Sequence, residues 1–161
     1  MSNDRPRRQT PIIGSLIVAL MLSMAPLPAW AEPYRPDWVV LTLIYWSMTF
    51  PLHYSVGTAW IAGLVIDVAQ GTLLGQHALA LSLIVYICVK FHLQMRQFPI
   101  LQLTATVFAM LALFRFVLFW INGVAGISAP SVAYWGPVLS GTVMWPLLMQ
   151  LLIPIRQRVR R

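Results

Sequence analysis

Between residues 100 and 121 the chain carries one charged side chain, Arg115, in a run that is otherwise apolar apart from Gln102, Thr104 and Thr106. A run of about 20 apolar residues matches the roughly 30 Å hydrocarbon core of a bilayer at 1.5 Å of rise per residue. A membrane-barrel strand would alternate in polarity over about ten residues, and this run does not. A helix closes its own backbone hydrogen bonds and is the better solution in lipid. The rest of the chain follows suit, with 59% of residues hydrophobic and 9% charged. A soluble domain needs roughly a quarter of its residues charged to wet its surface. Soluble-enzyme and disordered readings fall away, and an all-α integral membrane protein remains.

Six apolar segments separated by short connections can be drawn over the 161 residues. They are 12–31, 38–52, 56–74, 78–93, 100–121 and 132–153, within one domain at 12–155 flanked by basic tails at 1–11 and 156–161. The second and fourth are short, and Pro26 and Pro28 favour an early end to the first helix. Six crossings with the N-terminus inside put nine of the eleven bases on the cytoplasmic side, Arg35 outside and Arg115 within the membrane, as the excess of cytoplasmic Lys and Arg requires. Both termini are then cytoplasmic. Trp30, Tyr34, Trp38, Trp120, Tyr134 and Trp135 all fall at the outer helix ends, where amphipathic rings prefer to sit. Arg5 to Arg8, an apolar stretch and Ala29-Trp30-Ala31 also have the parts of a cleaved secretory signal.

The net charge of +7 is concentrated at the two ends, which fits membrane flanks and not nucleic-acid binding. Cys88, the single cysteine, lies in an apolar run and reads as a small buried side chain.

Asp67 is the most informative residue. An acid near the middle of a membrane helix costs about 2.5–3.5 kcal/mol on insertion scales, so it faces protein or water. Ala59, Gly63, Asp67 and Gly71 recur every four residues and share one helix face, with Gly75 where the helix is ending. Small residues at that spacing let another helix approach closely. The stripe therefore reads as a helix-packing or partner seam with a polar lock; a tolerated protonated acid and a proton or ion relay are the alternatives. Arg115 lies at a similar depth, so an interhelical Asp67–Arg115 pair is expected, against snorkelling of Arg115 to the outer headgroups. Arg35, Asp37 and Trp38 form the outer entrance to the second helix and are a candidate outer-face contact. There Pro36 suits the first helical turn and Asp37 the helix dipole. Pro137 and Pro146 are both expected to interrupt the last helix.

Signals for catalysis are scarce. The membrane contains one acid where aspartyl proteolysis needs two. His53, His77 and His92 sit near segment ends without metal-site spacing, and no nucleophile frame occurs. No cofactor or metal is expected, and the chain does not read as an enzyme.

Arg35-Pro36-Asp37-Trp38 before Leu41-Thr42-Leu43-Ile44-Tyr45-Trp46, then Gly57, Gly63, Asp67, Gly71 and Leu74-Gly75, and Trp145-Pro146 before a basic end, resemble the bacterial rod shape-determining MreD family. The resemblance spans about residues 12 to 155 and does not extend to Arg115. It implies a multi-pass inner-membrane component of the cell-elongation machinery. Such a protein would bind MreC, MreB directly or through MreC, and the synthase RodA with its partner transpeptidase, supporting lateral peptidoglycan synthesis without catalysing a reaction. It also implies a six-helix fold like the substrate-binding subunits of vitamin transporters. A small-molecule binding subunit of a membrane transporter is the alternative.

Overall fold

The computed structural model describes residues 5–51, 56–127 and 131–160, with the backbone alone for 5–9 and 160. Among the described residues seven α-helices run in order: α1 (Arg5–Met24), α2 (Trp38–Thr49), α3 (Val56–Gln70), α4 (Gln76–Lys90), α5 (His92–Gln97), α6 (Ile100–Val124) and α7 (Gly136–Arg160). Short 3-10 turns at Glu32–Tyr34 and Val132–Trp135 precede α2 and α7. No strand occurs among the described residues. The second segment, expected to run to 52, stops as a helix at Thr49; residue 52, the 53–55 connection with His53 and part of the 122–131 connection lie outside the described residues.

Proline and glycine set most of the boundaries. A residue before proline is pushed out of the helical region. Accordingly α1 stops at Met24 ahead of Pro26, α2 ends at Thr49 with Phe50 out of the helical region before Pro51, and Phe98 is extended before Pro99 at the start of α6. Gly71 follows α3 at φ +64° and Gly75 precedes α4 at φ +97°, values at which a side chain would strain the backbone. Two expectations need correction. Pro137 does not interrupt the last helix: it is the second residue of α7, where the missing N–H would have had no partner. The short helix α5 fills what reads from sequence as mainly a connection. The backbone of α7 stays helical through Pro146 and Pro154.

The core is organised around α2. Every residue of α2 from Val39 to Thr49 is buried, as expected of a helix that is apolar all round. α1, α4, α5 and α7 pack on it, and α6 and α7 pack on each other. Its Ser and Thr hydroxyls bond the preceding turn: Thr42 Oγ1 donates to Trp38 O at 2.8 Å, Ser47 Oγ to Leu43 O at 2.6 Å and Thr49 Oγ1 to Tyr45 O at 2.8 Å. Trp46 Nε1 donates to Ser15 Oγ on α1 at 2.9 Å, which ties the first helix into the core beside buried Ile12 and Ala19. At the C-terminal end of α2, Arg96 of α5 donates to Thr49 O at 3.2 Å. A cation there complements the helix dipole.

One cavity is lined by the end of α1, the start of α2, the end of α3, the start of α4, the second half of α6 and the start of α7. The six longer helices therefore alternate in direction. Two helical stretches, 100–124 and 132–159, are long and apolar enough to cross a membrane, while 10–24, 56–70 and 76–90 are apolar but shorter.

α3 packs mainly on α4, and at Gly63 the two backbones approach closely. A β-carbon built there would lie 2.2 Å from Ala78 Cα and 2.4 Å from Ala78 N. Backbone cannot yield as a flexible side chain can, so Gly63→Ala or Gly63→Val is expected to separate α3 from α4. The measurement is the melting temperature of the purified protein, together with its accumulation in membranes. Gly14→Ala, where a β-carbon meets nothing within 4 Å, is expected to change neither.

Candidate functional site

The polar side chains of the bundle gather at the end where α1, α3 and α6 finish and α2, α4 and α7 begin. α4 opens with Gly75-Gln76-His77, which includes no Ser, Thr, Asp or Asn to cap its first N–H groups. Asp67 supplies the cap from the last turn of α3. The turn with Gly71 and Gly75 at positive φ folds the chain back, so the carboxylate meets the start of α4. Gly75 N donates to Oδ2 at 2.8 Å, His77 N to Oδ1 at 3.2 Å and Thr72 Oγ1 to Oδ1 at 3.0 Å. The Nδ1 of His77 lies 2.7 Å from the same Oδ1. Asp67 is 1% exposed, and its cost of burial is offset by this ring of donors.

The second constellation joins α2, α6 and the turn before α7. Arg115 grips Asp37 with two bonds, Nε to Oδ2 at 2.9 Å and Nη2 to Oδ1 at 2.7 Å. This is the fork geometry that makes guanidinium–carboxylate pairs strong. The Tyr134 ring lies 5.1 Å from the guanidinium carbon, and its hydroxyl donates to Arg115 O at 3.1 Å. Arg35 reaches the end of α1, donating to Ser23 O and Ala25 O, and pairs with Glu32 at 3.2 Å. Cations at a helix C-terminus satisfy carbonyls the helix cannot.

Several sequence expectations are thereby corrected. Asp67 and Arg115 do not pair: α4 stands between α3 and α6, and each charge has a nearer partner. Of the two readings of the Ala59–Gly63–Asp67 face, helix packing or partner seam, the contact seen is helix packing, because α4 of the same chain occupies it at Gly63 and Asp67. Gly71 and Gly75 belong to the turn and not to the stripe. Of the outer-face candidates, Arg35 and Asp37 are turned into bonds within the chain, and Trp38 packs against the core. His77, Thr72 and Tyr134 were missed as partners. The signal for His77 was a helix start with no cap of its own, ten residues after a buried acid.

These groups surround the cavity, of about 800 Å³, lined among others by Arg35, Asp37, Gln70, His77, Arg115 and Tyr134. Among the described residues no three His, Cys, Asp or Glu side chains gather as metal ligands would. The arrangement can hold helix ends together and can hydrogen-bond a polar guest.

Asp67→Ala leaves buried donors without acceptors, a loss of about 1–3 kcal/mol. Asp67→Asn, which keeps one carbonyl oxygen, is expected to lose less, as read from denaturation of the detergent-solubilised protein. For the second pair, Asp37→Ala and Arg115→Ala should each destabilise, with a double-mutant coupling of about 0.5–3 kcal/mol. Exchanging Asp37 with Arg115 is expected to recover part of that loss, and exchanging Asp67 with Arg115 none.

A family model described as rod shape-determining protein MreD matches residues 8–154. A relative from Haemophilus influenzae, named rod shape-determining protein MreD, is 28% identical over 152 residues, covering 92% of each chain. No solved structure matches the chain. The extent of the family match places it plainly: the chain belongs to the rod shape-determining MreD family.

Proposed function

We propose that the protein acts as a non-catalytic scaffold of the bacterial cell-elongation machinery, set in the inner membrane by six crossings with both termini in the cytoplasm. Its family supplies the coarser role, rod-shape determination. The finer reading rests on where the charges go. Glu32 bonds Arg35, Asp37 bonds Arg115, and Asp67 is spent on the start of α4. Asp37 and Asp67, engaged in joining helices, are poor candidates for proton transfer to a substrate, which needs a positioned group free to exchange its proton. They suit a rigid platform. In this reading the platform binds MreC, with MreB directly or through MreC, and RodA with its partner transpeptidase, and it supports lateral peptidoglycan synthesis without turnover of its own.

The alternation of the six long helices supports six crossings, the shorter helices being accommodated by local thinning of the bilayer. Tagged full-length protein, crosslinked in growing cells and purified from their membranes, is expected to bring down MreC. Arg115→Ala should lower that recovery and round the cells, while reporters at the two termini give the same cytoplasmic signal. Recovery of MreC no better than with an unrelated membrane protein overturns the scaffold, and reporters on opposite sides overturn the topology.

A further inference from the structure

The chain has four acids in all. Three of them, Glu32, Asp37 and Asp67, stand at or directly behind the cavity, Asp67 acting through His77. Two arginines, Arg35 and Arg115, line the same wall. A join between helices needs close contact, yet these pairs border about 800 Å³ of open space, which is within the range of small-ligand pockets, about 300–1,000 Å³.

The polar valences left over face in more than one sense. Arg115 spends Nε and Nη2 on Asp37, leaving Nη1 without a partner among the described residues. Arg35 brings its charge to the cavity wall, with both Nη atoms engaged by Ser23 O, Ala25 O and Glu32 and its Nε buried away from the open space. The Nδ1 of His77 is held against Asp67, which fixes the ring and leaves Nε2 unbonded among the described residues. The Glu32 side chain is 59% exposed beside its arginine, and its carboxylate offers acceptor capacity. An ion of a single sign would meet a like charge in either pair. A guest carrying both signs meets a complement for each.

We propose that this cavity binds a zwitterionic group, an anionic phosphate or carboxylate beside an ammonium, with Arg35 and Arg115 taking the anion and Glu32 and Asp37 the cation. The same chemistry is presented by an ethanolamine phospholipid headgroup and by a free zwitterion. The proposal does not depend on the scaffold reading, because a platform and a transport subunit could each hold such a group.

The test uses full-length protein in detergent, delipidated and then offered two probes separately. Phosphatidylethanolamine is scored by native mass spectrometry against phosphatidylglycerol, and phosphoethanolamine by calorimetric titration. Ala69→Trp fills the cavity from a position exposed in the fold, and Gln70→Leu serves if the first variant melts early. Retention of phosphatidylethanolamine over phosphatidylglycerol by at least ten-fold, lost in the variant, supports a lipid headgroup. Saturable phosphoethanolamine binding, weakened at least ten-fold in the variant, supports a free zwitterion. Equal retention of both lipids with no phosphoethanolamine binding overturns the proposal, as does binding that neither variant alters.

Discussion

A helix buried on all sides leaves its polar groups nowhere to go but the protein. α2 imposes that condition from Val39 to Thr49, and the fold answers it in three ways. Hydroxyls turn back onto carbonyls of their own helix, the Trp46 indole recruits Ser15 from α1, and the two ends are met by arginines. An unsatisfied buried amide or hydroxyl costs about 1–3 kcal/mol, so the bonds that reach α1, α5 and α6 specify which helices stand next to α2 more sharply than apolar packing can. Between lipid and protein interior there is little hydrophobic preference, and specific polar contacts and close backbone approach choose the neighbours.

The same logic explains why α3 is held mainly through α4. Gly63 lets the two backbones come within contact distance of Ala78, and Asp67 binds the amides of the returning chain. One feature removes a steric obstacle and the other adds attraction at the end of the same interface. The hairpin is thus closed at its turn by a charge-assisted cap and along its length by a missing side chain.

Much of this was legible in the sequence because Pro and Gly act locally. Pro26 and Pro99 mark helix limits without reference to anything distant, whereas the segment drawn through Pro51 to 52 overran a helix that stops at Thr49. α5 escaped because six residues between Lys90 and Pro99 are too few for a periodic pattern to declare itself. The stripe at Gly63 and Asp67 signalled close approach, but spacing along one helix does not say whose helix approaches. Arg115 shows the same limit in a different form. Depth along the axis made Asp67 a plausible partner, whereas partner choice depends on which helices are adjacent across the bundle, and α4 separates those two. Asp37, at the helix entrance with an apparent role in the dipole, was closer in space though further in sequence.

Lengths explain why the polar groups collect where they do. α2 has 12 residues and α6 and α7 have 25 each, or roughly 18 Å against 37 Å at 1.5 Å per residue. Neighbours that long must overrun the central helix, leaving space beyond one or both of its ends. Beyond its C-terminus the space is filled by α5, with Met95 buried and Arg96 on Thr49 O. Beyond its N-terminus nothing equivalent is supplied: the Glu32–Tyr34 turn and the start of α7 meet closely at Gly136 and Pro33, and the cavity lies among them. A short central helix plugged at one end and open at the other gives the bundle a polar hollow, and the pairs on its wall are the means by which charged side chains can stand there without facing lipid.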